Sequence, residues 1–547
     1  MGNVEIFKNL KMKKVTPLTE KTLVIGNGPQ ARCIAEELLA KDADLIVASE
    51  ENAFVLPFPE KTEILTGVKI RSCEGSVGNF NLTLDKDGEK VSRIVENVII
   101  AEEAVRKPNF SLYGLTPCAN VISLSQLKES LSDDSRPFFK NKKFVFLTGL
   151  AKESNAVILE EIMRASLKLQ SEFHAKTYIL TKNLKVAGHG LELLYRRTKE
   201  AGAVYIKFTE SQPEIHQQED DGPVILTFTD DITGEQFRLT PDITVADETI
   251  SPPENTSDLA AIFGLDTDPH GFLQSDNVHR ISVLTNRKGI MVAGPSRDIQ
   301  SPGEEITDTG NLALSIFKPS DERETASAYK AQINPRLCSG CLTCYSVCPY
   351  NAILPDTTAS VMPDACEQCG VCAAVCLSRA ITIKGLTYIE ISDHIEKNTP
   401  QKKETFTPFL LAFCCKRSAA RAHELASCMG HKLPPGLKII EVPCAGGVSH
   451  YHIFLALRNN ADGVLVLTCH EGNCHSERGN LYAHEQLNMI GSFLEIAGFE
   501  KERLLIKPLA SNMSKEFAEI TNTFEKKILD LGPSRFKMKK QDFSFLT

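Results

Sequence analysis

Eight cysteines fall between Cys338 and Cys376, in two runs of the same spacing. The first run reads C-S-G-C-L-T-C-Y-S-V-C-P and supplies Cys338, Cys341, Cys344 and Cys348. The second reads C-E-Q-C-G-V-C-A-A-V-C-L and supplies Cys366, Cys369, Cys372 and Cys376, each 28 residues after its counterpart. The echo continues beyond the thiols: Val347-Cys348-Pro349-Tyr350-Asn351-Ala352-Ile353 is answered by Val375-Cys376-Leu377-Ser378-Arg379-Ala380-Ile381.

Two-residue gaps let one tight loop wrap three corners of an iron–sulfur cubane while its N–H groups point at sulfur. The three-residue gap then turns the fourth cysteine onto the other cluster. The repeat is therefore that of a two-cluster bacterial ferredoxin. It predicts one [4Fe–4S] cluster on Cys338, Cys341, Cys344 and Cys376, and a second on Cys366, Cys369, Cys372 and Cys348. A zinc site, the other use of paired CxxC segments, needs only four of the eight thiols and no third cysteine in each run. Leu377 stands where proline usually follows the fourth cysteine, which removes a turn signal but no ligand.

At 547 residues the chain has room for three or four domains. Its net charge of −9 leaves no basic footprint for nucleic acid. The segment Met1 to Lys14 is basic but lacks the continuous apolar core of a secretory signal, and no apolar run approaches the ~20 residues needed to span a bilayer. These features predict a reducing, cytoplasmic setting in which cysteines serve metal or redox roles, with any membrane contact made through a partner.

Around the ferredoxin repeat the pattern is α/β. Thr22-Leu23-Val24-Ile25, Leu45-Ile46-Val47-Ala48 and Val98-Ile99-Ile100-Ala101 read as buried strands, with a helical stretch from Ala31 to Ala40. A second α/β segment starts at Lys143-Phe144-Val145-Phe146-Leu147, and Gly289 to Gly294 returns to a buried strand. Charged stretches at Lys318–Gln332 and Glu396–Thr407 read as linkers. Beyond the second, strands at Leu410–Phe413, Lys438–Val442 and Gly463–Leu467 alternate with helices. The basic segment from Ser534 reads as a frayed tail.

Gly26-Asn27-Gly28-Pro29-Gln30-Ala31 is a G-x-G-x-x-A loop between a strand and a helix. In that context the glycines make the turn and let the backbone approach a pyrophosphate at the helix N-terminus. Gly26, Gly28 and Ala31 are thus candidate flavin contacts. The position expected to carry a ribose-binding carboxylate is Ser49, and the adjacent Glu50 is the candidate in its place. The other reading is a Rossmann-shaped scaffold that has lost its nucleotide. Thr148-Gly149-Leu150-Ala151, in the second segment, has a single glycine and does not predict NAD.

A further set of thiols lies at predicted strand ends in the C-terminal part, in F-C-C-K-R-S, V-P-C-A-G-G and L-T-C-H-E-G-N-C-H. Loops at one edge of an α/β sheet converge, so distant cysteines can share a site. Cys415, Cys444, Cys469 and Cys474 are the expected ligands of a [2Fe–2S] cluster, with Cys414 the substitute for Cys415. Zinc and buried free thiols are the alternatives. His470 and His475 are expected as hydrogen-bond donors beside the ligands. Cys33, Cys73, Cys118 and Cys428 have no motif around them and read as packing residues.

In this order the parts resemble the heterodisulfide reductase A-subunit family joined to a domain similar to the delta subunit of methyl-viologen-reducing hydrogenase. The resemblance rests on Gly26–Ala31, G-S-V-G-N-F at Gly75–Phe80, G-H-G-L-E-L-L-Y at Gly188–Tyr195, T-N-R-K-G-I-M-V-A-G at Thr285–Gly294, and the P-C-x-G and C-H-x-G-x-C-H motifs. The B-subunit of the quinone-interacting membrane-bound oxidoreductase looks like a related arrangement. The resemblance implies a two-dinucleotide-domain flavoprotein fold carrying FAD, over 1–140 and 285–320, with a second Rossmann-like domain inserted at 141–284. A ferredoxin domain at 328–392 and a [2Fe–2S] domain at 406–535 follow. Family flavin domains usually carry A-T-G where this chain reads Ala101-Glu102-Glu103. The implied activity is that of an oxidoreductase subunit passing electrons between FAD, two [4Fe–4S] clusters and a [2Fe–2S] cluster. Its partners would be heterodisulfide-reductase-like, hydrogenase, dehydrogenase or quinone-reducing subunits. A flavin-free scaffold that docks such subunits is the alternative, and no arrangement of catalytic residues stands out.

Overall fold

The computed structural model describes residues 21–534 apart from 54–56, 60, 133–138, 189, 210–211, 219–221, 230–233, 275–276, 318–329, 399–405 and 497. The basic segment Met1 to Lys14, the tail after Ser534 and most of both expected linkers lie outside the described residues. The helix Tyr388–Asn398 runs into the start of the second linker.

Lys21–Ile25 and Asp44–Ala48 are apolar runs buried along nearly their whole length, as parallel strands covered on both faces must be. They lie in a five-stranded parallel sheet with the order Ile290–Val292, Asn97–Ile100, Lys21–Ile25, Asp44–Ala48, Glu63–Leu65. Leu23 pairs with Ile46 on one side and Val98 on the other. One face packs against the helices Pro29–Leu39 and Pro302–Ile316, through Ile34, Leu38 and Leu312. The other is covered by the antiparallel strands Val68–Ser76, Asn79–Lys86 and Glu89–Val95, which bury Phe80, Leu82 and Leu84 there.

A second parallel sheet runs Val204–Lys207, Lys176–Thr181, Lys143–Thr148, Ile243–Ala246, Val121–Ser123. This unit differs from the span expected at 141–284. It takes in Val121–Ser123 and the following Leu124 and Leu127, which pack with Phe144 and Ile243. It gives up the helix Thr256–Phe263, whose Leu259 and Phe263 belong to the first core. The chain passes between the units as an antiparallel ribbon of Val105–Pro108 and Glu248–Ser251. A three-residue strand carries too few apolar positions to mark that junction in the sequence.

The C-terminal unit is a four-stranded parallel sheet in the order Leu437–Val442, Leu410–Cys415, Gly463–Thr468, Leu504–Pro508. Its last strand and the helix Ser514–Leu531 complete a unit of which the sequence pattern marks only the earlier elements. Arg503, fully buried, fastens this end by donating to the carbonyls of Asp462 (3.1 Å) and Gly532 (2.9 Å). The ferredoxin repeat is not a separate bead. Its Ile383, together with Ile391 and Ile395, shares one hydrophobic core with Phe413, Val442 and Ile453 of the C-terminal unit. Among the described residues, no helix is long and apolar enough to cross a membrane.

Candidate functional site

The ferredoxin loops are held by very short helices, Thr343–Val347 and Val371–Ala374, each entered through a left-handed residue, Leu342 (φ 56°) and Gly370 (φ 90°). Cys338, Cys341 and Cys376 lie around Cys344, whose pKa is raised by burial and then by their charge. Cys348 leaves its own run and lines one cavity with Cys366, Cys369 and Cys372. Burial pushes the Cys369 thiol up to about 12 and Cys372 well above its ordinary value, with Cys348 and Cys366 adding repulsion to both. Thiols held this high become thiolates only in exchange for a cation, as metal binding requires. The two groups differ in exposure: Cys341 is at the surface, whereas Cys366, Cys369 and Cys372 are buried.

Cys415, Cys444, Cys469 and Cys474 line a second cavity at the carboxyl edge of the C-terminal sheet. Cys415 is lowered to about 6, first by a hydrogen bond from Cys469, and Cys474 is lowered by bonds from Cys444 and Cys469. Cys444 and Cys469 move up in return. The four sulfurs thus lie within hydrogen-bonding reach of one another in a chain Cys415–Cys469–Cys474–Cys444. A Cβ on Gly479 would sit 2.4 Å from the Cys444 sulfur, so glycine lets the backbone close on this group. Cys414 points the other way, fully buried in the opposite core with Leu465 and Phe517. It does not join the four. Among the described residues, no three His, Cys, Asp or Glu side chains converge tightly enough to hold a single metal ion. Both sets of lining thiols enclose a space rather than a point.

The neighbouring histidines His470 and His475 line the same cavity as the four thiols. His470 meets the Met513 sulfur at 3.4 Å, and the His475 ring lies 5.7 Å from that of His279. Cys428 is exposed at the end of the helix Ala419–Cys428, so it is not a packing residue; Cys33, Cys73 and Cys118 are half-buried.

At the glycine loop the backbone has the form a dinucleotide needs. Gly26 has φ +149°, and a Cβ there would come 2.1 Å from the Ala101 carbonyl oxygen. Ala31 is buried beneath the helix start, and Gly28 is the N-cap. The space above the loop is taken, however. A Cβ on Gly28 would lie 2.0 Å from Glu103 Oε1, and the Gln30 backbone N–H donates to the Glu103 carboxylate. Glu50 is exposed at the strand end. Its neighbour Glu51 is the carboxylate that closes on the loop, accepting from the Asn27 side chain. As they stand, these side chains do not fit a flavin pyrophosphate, because two anions would have to share one helix N-terminus. In the second unit, the Gly149 amide is likewise used internally, by the buried Asp247 at 2.8 Å.

Glu102, beside this loop, is raised to about 7, first by burial and then by Glu50, Glu51 and Glu103; an Asn255 hydrogen bond (3.2 Å) opposes the shift. The folded chain therefore holds a proton that the unfolded chain releases near 4.5. Stability falls as pH rises between these values, and the loss is complete above about pH 7. Glu102→Gln should stabilise the chain by about 1–3 kcal/mol at about pH 8 and have little effect at about pH 5. Melting curves of both proteins at the two pH values test this; equal melting temperatures at the higher pH would refute it.

Comparison with known proteins adds to this geometry. Residues 410–532 match the family of the methyl-viologen-reducing hydrogenase delta subunit, and residues 331–354, around the first cysteine run, match the 4Fe–4S binding domain. The iron-sulfur D-subunit of the F420-non-reducing hydrogenase of Archaeoglobus profundus is 33% identical over 134 residues, 24% of this chain and 98% of that protein. The chain belongs to the hydrogenase delta-subunit family through its C-terminal unit. The A-subunit of the Ferredoxin/F(420)H(2)-dependent CoB-CoM heterodisulfide reductase of Methanosarcina acetivorans is 25% identical over 359 residues, 65% of this chain and 45% of that protein. The A-subunit of the Ferredoxin:CoB-CoM heterodisulfide reductase of Methanosarcina mazei is also 25% identical, over 66% of this chain. The chain is homologous to these two proteins and spans about 45% of their length.

The delta-subunit unit is clasped by the front half. Asn277 donates to the Cys474 carbonyl (2.8 Å), His279 Nε2 lies 3.1 Å from the Asn473 carbonyl oxygen, and Arg280 pairs with Glu477 at 2.6 Å. From the ferredoxin side, the Tyr350 hydroxyl donates to the His475 carbonyl at 3.0 Å. The loop carrying Cys474 is thus fixed from both neighbouring parts. In the sequence, the segment Asn277–Arg280 carries no signal beyond ordinary polarity, and only its packing reveals the role.

Proposed function

We propose that this chain is an electron-transfer subunit of a multi-subunit anaerobic redox complex. Cys338, Cys341, Cys344 and Cys376 hold one [4Fe–4S] cluster, and Cys366, Cys369, Cys372 and Cys348 hold the other. Cys415, Cys444, Cys469 and Cys474 hold a [2Fe–2S] cluster, the four-thiolate chemistry that suits this site. The observation that carries the reading is the close approach of the ferredoxin loop carrying Cys369 to the loop after Cys444. Cys369 and Cys474 lie close enough to repel each other electrostatically, and a Cβ on Gly447 would come 3.0 Å from the Cys369 carbonyl oxygen. Cys344 also acts on Cys372, so the three thiol sets form one line from the exposed Cys341 to the Cys444 and Cys474 edge. Electrons pass along this line in single steps.

Val371, Ala445 and Val448 are buried in the same core as the thiol groups. The FAD of this reading belongs to the front unit, at the glycine loop Gly26–Ala31, where Glu103 now lies against Gly28. Partners are further redox subunits of the heterodisulfide reductase or hydrogenase kind, in the cytoplasm or at a membrane through such a complex. Anaerobic purification of the full chain tests the reading. About ten iron atoms per chain with acid-labile sulfide are expected; a folded but colourless, iron-free protein from oxygen-excluded cells would overturn it.

A further inference from the structure

We propose that Glu103 is an internal anion occupying the pyrophosphate position of the glycine loop, so that a dinucleotide enters only by displacing this side chain. The proposal rests on the flavin-type reading of the front unit and identifies the residue that controls access to it. Three observations support it. Glu103 Oε1, Cγ and Cδ all lie within 2.2 Å of where a Gly28 Cβ would be, so the carboxylate fills the hollow that the glycine leaves. The Gln30 amide, a donor of the first turn of Pro29–Leu39 with no intrahelical acceptor, is bonded to that carboxylate. The outer side of Glu103 is exposed, although protein surrounds most of the carboxylate, so the side chain can swing outward without unpacking a core.

The surroundings explain why displacement is resisted. Burial raises the Glu103 carboxyl, while the Gln30 backbone N–H and Arg106 favour its charged form; Glu305 and Glu102 are raised by burial and then by nearby carboxylates including Glu103. A phosphate group arriving at the loop would enter the neighbourhood of the carboxylates Glu102, Glu103 and Glu51. In place of a small residue that admits the cofactor, the chain carries its own counter-anion.

Titration of the full, cluster-loaded chain with FAD and, separately, with ADP tests the assignment, using Glu103→Ala and the isosteric Glu103→Gln alongside the parent. Intact iron–sulfur absorption certifies folding of each variant. Glu103→Ala should bind both ligands at least about tenfold more tightly than the parent, with Glu103→Gln between them. A gain for ADP without FAD would support Glu103 as the occupant while removing the flavin reading. A parent that holds FAD one-to-one, with affinity unchanged or weakened in Glu103→Ala, would overturn the proposal and leave the flavin reading standing. No gain for either ligand in folded Glu103→Ala and Glu103→Gln would also overturn it.

Discussion

Cys376→Ala is expected to damage the cluster of Cys338, Cys341 and Cys344, and to spare the one held by its own sequence neighbours Cys366, Cys369 and Cys372. The reason is geometric. Cys376 follows the helix Val371–Ala374, whose end turns its thiol toward Cys344, and Cys348 makes the reciprocal crossing. Cys376→Ala and Cys341→Ala should therefore share one electron paramagnetic resonance signature, and Cys348→Ala and Cys369→Ala another. Each single variant is expected to lose up to about four of about ten iron atoms. Combining Cys376→Ala with Cys341→Ala should add little to either alone, because both changes act on one cluster. Cys376→Ala resembling Cys372→Ala, or a double variant losing both clusters, would refute the crossed arrangement. The buried set should also react differently. Chelators should strip iron first from the group containing the exposed Cys341, since Cys366, Cys369 and Cys372 are covered.

What the sequence discloses follows from how local each constraint is. The ferredoxin thiols are legible because short gaps alone bring Cys338, Cys341 and Cys344 onto one loop. The strands Lys21–Ile25 and Gly463–Thr468 are legible as apolar runs, which the structure buries almost throughout. The choice between Cys414 and Cys415 is not. Adjacent strand residues face opposite sides, and Leu410–Cys415 is buried throughout, so no polar residue marks which face looks toward the other thiols. The two glutamates after Asn97–Ile100 are visible as a departure from A-T-G, but only the fold shows Glu103 lying over Gly28. Glu51 rather than Glu50 meets the loop because the chain turns just beyond Ala48, within the few residues where strand ends are hardest to fix from sequence. The clasp by Asn277 and Arg280 pairs residues 197 positions apart, a distance at which composition is silent.

Gly447→Val should slow electron exchange between the buried [4Fe–4S] site and the C-terminal cluster while leaving the iron content unchanged. Gly370 and Gly447 meet backbone to backbone: a Cβ on Gly370 would lie 3.0 Å from the Gly447 Cα, and one on Gly447 would lie 2.9 Å from Leu386 Cδ1 and 3.2 Å from the Gly370 Cα. Two glycines therefore set how closely the two cluster loops approach. Valine adds a branched side chain at a place with no room for one carbon, and part of the contact is backbone that cannot rotate away. Such overpacking costs about 1–3 kcal/mol and is relieved by separating the loops. Every cluster thiol is retained, so both sites still assemble, but the gap between Cys369 and Cys474 widens. Gly447→Ala, with one added carbon, should show a smaller effect of the same kind. Rapid-mixing reduction followed by freeze-quench resonance spectroscopy would report the order in which the clusters fill and the magnetic coupling between them. An unchanged rate and coupling in Gly447→Val, at full iron content, would show that electrons do not cross at this contact.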